Sequence, residues 1–448
     1  MFATSFHVLV AVVRHRVDRR YTLCEPMAAI LTNDPGAVDA RAMPRNLVFV
    51  APFPTEPTMR FVRAVRRLDD VRLLGVVHTP PSGDDAKAYD DMVRVTEPLA
   101  LADVLEGVEV LRRRHGQPLR ILGVLEAMMV QLAQAREQFG VAGTPPKTAE
   151  LFRDKAMMKD ALRGAGLPVA RHKLIASEKD AHVFAEEVGF PMVLKPPAGM
   201  GAKATFRVSS LGALLAAVRS LRVDAGAPML AEEMLHGREH TFETITLGGA
   251  PRASSFARYY PGPLEVLENP WIQWTCVLPR EIETPLHDEA RKLGDAAIRA
   301  LGLEDGMTHM EWYEKADGSI AIGEIAQRPP GPQLCQMTGL VHDVDIYRAW
   351  ARAVVDGELD APWARKCAAG TAFIRGIGQG RVAAVTGVRE THEAIAPWLV
   401  EAKLPSLGEP KGESYEGDGY VIVRAETTAK VHELLETILH TIQIHYVS

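Results

Sequence analysis

The sequence predicts a multidomain protein of mixed α/β and α+β class, and three observations carry that prediction. A chain of 448 residues is too long for one hydrophobic core and divides into several domains. From Leu47 onward, strand-like and helix-like segments alternate, as in a parallel sheet with helices on its faces. Further along, apolar runs break at Gly248-Gly249 and Asp317-Gly318, two-residue hairpin signals that belong to antiparallel sheet.

In chain order, residues 1–43 carry neither a sustained helical nor a strand period and pass through a loop-like Asn33-Asp34-Pro35-Gly36. They are expected to be a poorly ordered N-terminal extension, with Met43 reading as the start of the folded part. Residues 44–147 form the first αβ domain: strands at 47–51, 71–77 and 121–125, and helices at about 56–67, 99–115 and 127–139. No Gly-x-Gly-x-x-Gly follows its first strand, which argues against a dinucleotide site there. Glu126 stands at the carboxyl end of the third strand, where open sheets of this class bind ligands. A helix N-terminal carboxylate stabilised by the dipole is the competing reading.

A second region, residues 148–360 with a smaller lobe at about 167–234, opens on a helix capped by Thr148 and ending at Gly164. A helix over about 178–188 leads to Pro191-Met192-Val193-Leu194-Lys195-Pro196. A lysine in so apolar a strand either snorkels outward or meets an anionic partner. The next loop, Ala198-Gly199-Met200-Gly201-Ala202-Lys203, lets backbone amides approach a phosphate, and Lys203 adds charge. It is not a Walker A motif, because no Gly-Lys-Ser/Thr ends it and a strand follows. The strand 229–235 ends at His236-Gly237, and Glu239 follows as a candidate acceptor for ribose hydroxyls. Arg258 to Pro263 and Trp271 to Trp274 read as an irregular aromatic loop on the substrate side. Residues 361–448 are expected to be a separate α+β domain without a catalytic constellation.

The most informative stretch is His309 to Gln333. With Asp317-Gly318 as a two-residue turn, Ala316 pairs with Ser319, and counting outward puts Glu311 across from Glu324. Opposed carboxylates destabilise a sheet unless a cation sits between them. Hard oxygen ligands of this kind suit Mg²⁺, which keeps waters and takes phosphate oxygens. Arg328 follows a few residues later, placed to grip a phosphate or carboxylate. A surface hairpin with two solvated glutamates is the competing reading, since a one-residue slip separates the pair.

Composition excludes several classes. The net charge is −6, so no basic field points to nucleic acid. The four cysteines are widely spaced without a Cys-x-x-Cys pair, which disfavours zinc and a disulfide framework and fits a reducing cytoplasm. No apolar run is long enough for a membrane helix.

Five motifs, taken in this order, resemble the ATP-grasp superfamily of carboxylate ligases over nearly all of residues 44–448. They are Asp154-Lys155, Val193-Leu194-Lys195-Pro196 with its glycine loop, Glu232-Glu233-Met234-Leu235 followed by Gly237-Arg238-Glu239, His309-Met310-Glu311, and Glu324-Ile325-Ala326-Gln327-Arg328. The resemblance implies an ATP-grasp fold: a Rossmann-like pre-ATP-grasp domain, two α+β lobes clamping ATP, and an α+β C-terminal domain. It implies that Lys155 and Lys195, with Gly199, Gly201 and Lys203, hold the nucleotide phosphates. Glu232, Glu233 and Leu235 would line the adenine side, with backbone contacts from the last two, and Glu239 would meet the ribose. Glu311 and Glu324 would bind Mg²⁺, with Mn²⁺ as a substitute. Arg328 would hold the transferred phosphoryl group or acyl phosphate, acting in catalysis with Lys195, Glu311 and Glu324. Ala326 stands where most members carry a metal-binding Asn, leaving Gln327 or water to complete the shell. The Arg-Pro-Pro-Gly run and C-terminal unit look most like the branch of L-amino acid ligases and carnosine-synthase-like enzymes. The activity this implies is ATP-dependent joining of a small carboxylate and an amine, amino-acid-like, through an acyl phosphate, releasing ADP and phosphate. Alternatives are an ATP-grasp ligase with a thiol or bicarbonate nucleophile, and a nucleotide-binding protein without ligase activity. Dimers are common among similar enzymes, so the resemblance leaves a homodimer open and the sequence does not decide it.

Overall fold

The computed structural model describes residues 44–447 apart from 200–204, 224–225, 270, 332, 361 and 413–415. The expected N-terminal extension, residues 1–43, lies outside the described residues, as do Gly201 and Lys203.

The first domain is β1 (Arg45–Val50), α1 (Glu56–Arg66), β2 (Val71–Val77), α2 (Gly83–Ala86), β3 (Asp91–Arg94), α3 (Leu101–His115), β4 (Arg120–Leu122) and α4 (Met129–Phe139). Its strands form a parallel sheet in the order β3-β2-β1-β4. Leu47, Val48, Phe49, Leu73 and Leu74 are fully buried, the continuous apolar run that a sheet covered on both faces requires. β3 was not expected: Asp-Met-Val-Arg is too short and polar to read as a strand.

Two helices follow where the sequence suggested one. α5 (Pro146–Arg153) and α6 (Lys155–Gly164) meet at Asp154, whose carboxylate accepts from Ala156 N and Met157 N at 2.9 Å and so caps α6. Thr148 lies inside α5 and is not the cap. This break aims the first turn of α6, and with it Lys155, at the cleft described below.

Next come β5 (His172–Ile175), α7 (Glu178–Val188), β6 (Met192–Lys195), β7 (Phe206–Val208), α8 (Leu211–Ser220) and β8 (Met229–Glu233), with an antiparallel sheet in the order β5-β8-β6-β7. The main sheet is built from β9 (Arg238–Leu247), β10 (Ala250–Tyr260), α9 (Pro263–Glu268), β11 (Trp274–Leu278), α10 (Pro285–Leu301), β12 (Gly306–Glu314) and β13 (Ile320–Ala326). Gly248 and Gly249 turn β9 into β10 with φ of 58° and 73°, values that glycine takes without strain. The expected aromatic loop is partly strand: Arg258 to Tyr260 end β10, and Trp274 opens β11, fully buried and stacked on Phe373.

The remaining elements are α11 (Leu334–His342), α12 (Ile346–Asp356), β14 (Ala368–Ile374), β15 (Arg381–Thr386), α13 (Val388–Ile395), β16 (Leu399–Lys403), β17 (Gly419–Ala425), α14 (Thr428–Thr441) and β18 (Gln443–Val447). Three of these strands continue the main sheet, which runs β13-β12-β9-β10-β11-β14-β17-β16. The C-terminal stretch, read as a separate α+β unit, therefore shares its sheet with the hairpin region. Among the described residues, no helix is long and apolar enough to cross a membrane.

The β12–β13 hairpin pairs Glu311 with Glu324, but not by the register counted from a two-residue turn. Lys315 N donates to Ser319 O and Gly318 N to Lys315 O, with Gly318 at φ 82°, a three-residue loop closed by a left-handed glycine. The pairs that follow are Glu314 with Ile320 and Trp312 with Ile322, one residue off the expectation. Gly323 then bulges out of the ladder and restores the pairing at Glu311. The bulge also flips the side-chain alternation. Ile320 and Ile322 join the core with Trp312, and beyond the bulge it is Ile325, not Glu324, that continues it.

β13 is an edge of the main sheet, and its outer groups meet partners that are not strands. Ile322 N donates to Pro168 O at 2.8 Å, Lys159 Nζ to Gly323 O at 2.5 Å, and Ile325 N to Met158 Sδ at 3.1 Å.

Candidate active site

A cleft of about 650 Å³ lies between the β5–β8 sheet and the β12–β13 hairpin, and its lining includes Lys155, Lys195, Glu232, Glu239, Glu311, Glu324 and Arg328. Gly199, Glu233 and Leu235 also line it, so the described residues expected to hold nucleotide, metal and acyl phosphate reach one cavity, whereas Gln327 does not.

Its centre is an alternating set of charges, with Lys155 and Glu232 buried and Lys195 and Glu324 half-buried. Lys155 Nζ lies 2.8 Å from Glu324 Oε1, and Lys195 Nζ lies 3.0 Å from Glu232 and 4.0 Å from Glu324. Lys195 therefore has the anionic partners that its apolar strand required. Burial alone would lower its pKa, but Glu232 and Glu324 outweigh that and hold it above its ordinary value. Burial acts to raise the Glu324 pKa, and Lys155 and Lys195 reverse this, holding it down at about 2. Glu239 shows the opposite balance: burial, reinforced by Glu311, pushes its carboxyl up to about 8, beside the Tyr313 hydroxyl.

Some side chains take up contacts that their motifs did not announce. The Glu232 carboxylate faces Lys195 and Lys159. The Glu233 carboxylate turns to Arg171, accepting from its N at 2.8 Å and Nε at 2.7 Å. Gln327 does not reach the carboxylate pair: its Nε2 donates to Thr144 Oγ1 at 2.5 Å.

Four residues of the site were missed or left open. Lys159 is fully buried, and its place four residues after Lys155 on α6 was the available signal. Arg153 Nη1 meets Glu126 Oε1 at 3.1 Å and Gly199 O at 3.2 Å. Glu126, left open between ligand and cap, accepts from Arg328 Nε at 2.6 Å, so the first domain reaches the arginine of the hairpin. Glu243, buried on β9, contacts His309 Nδ1 at 3.0 Å, and His309 Nε2 lies 3.6 Å from Glu311 Oε1.

Among the described residues, no group of three or more His, Cys, Asp or Glu side chains is placed to hold a metal ion by itself. Two opposed carboxylates in a cleft fit Mg²⁺, which keeps several waters and takes further ligands from phosphate oxygens. They would not suit a cation that needs a full protein cage.

Residues 160–331 match the ATP-grasp domain, a span that includes Lys195, Glu232, Glu311, Glu324 and Arg328. The chain therefore carries an ATP-grasp domain and has the ATP-grasp fold. It is 26% identical to the L-arginine-specific L-amino acid ligase of Bacillus subtilis over 220 residues, covering 48% of this chain and 52% of the relative. It is 27% identical to the D-alanine–D-alanine ligase of Streptomyces griseus over 286 residues, covering 61% and 70%. The chain thus spans about half the length of the first of these relatives. The crystal structure of an L-amino acid ligase from Bacillus licheniformis superposes with a TM-score of 0.75 at 16% identity, covering 91% of this chain and 100% of the other.

Proposed function

We propose that this protein is an ATP-dependent carboxylate–amine ligase that forms an amide or peptide bond through an acyl phosphate. The observation that carries the reading is the convergence of Lys155 and Lys195 on Glu324, opposite Glu311, with Arg328 in the same cleft. A pure nucleotide binder has little use for two opposed carboxylates. Two lysines suit the phosphates, and the two carboxylates would hold a divalent cation that offsets their negative charge.

Glu311 and Glu324 would hold Mg²⁺, with Mn²⁺ as a substitute, and that metal would neutralise charge on the phosphoryl group being transferred. A substrate carboxylate oriented by Arg328 attacks the γ-phosphorus. The bond to the β,γ-bridging oxygen breaks, and ADP leaves. The amine then attacks the acyl carbon, loses its proton, and expels inorganic phosphate. Arg328 stabilises the oxyanion that develops in this second step. Glu126 sits against Arg328, so a zwitterion finds a carboxylate and a guanidinium side by side. This favours amino-acid-like substrates, as do the names of the relatives.

The test is product analysis with amino acid pairs. ADP and phosphate are expected only when carboxylate and amine are both supplied, with oxygen-18 passing from the substrate carboxylate into the phosphate. AMP and pyrophosphate would overturn the mechanism.

Lys195→Ala is expected to weaken binding of a non-hydrolysable ATP analogue by about 1.5 to 3 kcal/mol, the worth of a charged hydrogen bond. Calorimetric titration checks this, and an unchanged affinity would remove Lys195 from the phosphate site.

A further inference from the structure

We infer that Lys159 is a positioning residue whose buried ammonium pins the Gly323 bulge and thereby sets Glu324 opposite Glu311. The inference rests on the proposed function and concerns the geometry of its metal carboxylates.

Three observations lead to it. First, without the bulge the hairpin loop would place Glu324 opposite Met310, which is fully buried on the core side of β12. A one-residue shift moves a strand side chain to the other face, so the metal pair exists only because Gly323 is extra. Second, a bulge leaves a backbone group out of the ladder, and a buried carbonyl needs a donor. Lys159 supplies it, with Nζ 2.5 Å from Gly323 O. Third, Lys159 is fully buried and does not itself line the cleft. Its ion pair is with Glu232 at 3.4 Å, which passes on to Lys195, and it also feels the charges of Lys195 and Glu324. One ammonium thus ties α6, β8 and the bulge together beneath the site.

Gly323 has no room for a side chain in this arrangement. A Cβ there would stand 2.9 Å from the Tyr313 ring and 3.3 Å from Glu311 O. The bulge is therefore seated against Tyr313 on one side and held by Lys159 through its carbonyl.

The test is Mn²⁺ binding by electron paramagnetic resonance to full-length protein saturated with a non-hydrolysable ATP analogue. Lys159→Met is expected to weaken Mn²⁺ by about 10- to 100-fold, the usual effect of losing a group that orients a metal ligand. Affinity for the analogue without metal should stay within about twofold of wild type. In a Glu324→Gln background, Lys159→Met should cost little more, because both changes act on one ligand. Should Lys159→Met not fold, the double variant Lys159→Met, Glu232→Gln removes both members of the buried pair and carries the same expectation for Mn²⁺. Mn²⁺ binding at wild-type strength, or losses that add to that of Glu324→Gln, would overturn the role of Lys159 alone. Failure of the wild-type protein to bind Mn²⁺ would overturn the proposed function with it.

Discussion

Glu324→Gln is expected to abolish turnover while the protein stays folded. A neutral amide is a poor ligand for Mg²⁺, and a metal in this role contributes several kcal/mol of transition-state stabilisation. With tenfold in rate for each ~1.4 kcal/mol, the loss should be about 10³-fold or more. Gln still offers Lys155 an acceptor where Glu324 Oε1 stands at 2.8 Å, so the packing of α6 on the hairpin survives. Steady-state rates with saturating Mg²⁺, read beside a thermal unfolding curve, decide the matter. Activity near that of wild type would mean that the opposition of Glu311 and Glu324 serves no metal.

The second large effect is expected at Arg328. Arg328→Ala should lower kcat by about 10²- to 10³-fold, the cost of one preorganised donor at a developing oxyanion. Affinity for ADP, which lacks the transferred phosphoryl group, should be unchanged, because the remaining phosphates are assigned to Lys155 and Lys195. Glu126 keeps Arg153 as a partner at 3.1 Å, so the variant does not strand a buried carboxylate. Arg328→Lys should recover only part of the rate, since an ammonium lacks the planar fork of a guanidinium. Trapping acyl phosphate with hydroxylamine in single turnovers separates the two chemical steps. An Arg328→Ala enzyme with wild-type kcat would place the substrate carboxylate elsewhere.

Much of this site was legible because its chemistry needs particular residue types at fixed spacing. Lys195 in an apolar strand and the carboxylates flanking a turn signal were enough to propose it. The Glu311–Glu324 pairing was reached through two departures that offset one another: a loop one residue longer than counted, and a bulge that the sequence shows only as Gly323. Lys159 was not found, because a lysine within a helix reads as a solvated face until tertiary packing buries it. Glu126 was left open, because its partner Arg328 lies 202 residues away, a pairing that no local pattern encodes. The same limit applies to β14, β16 and β17, which read as strands or short polar runs while their place in the main sheet depends on distant neighbours.

The covered outer edge of β13 has a consequence beyond catalysis. An edge strand with free amides and carbonyls is a template for another chain to add to, the usual route to strand-mediated aggregation and domain exchange. Here Pro168 O takes the Ile322 amide, Lys159 takes the Gly323 carbonyl, and the Met158 sulfur takes the Ile325 amide. The Lys159 and Met158 side chains cannot pass the ladder on to a further strand, Val169 meets Ile322 only as an isolated bridge, and the bulge at Gly323 breaks the regular edge that an incoming strand would need. The contacts that aim a carboxylate into the cleft therefore also close the sheet at that end, protecting the apolar Ile-Ala-Ile run of the hairpin from self-association.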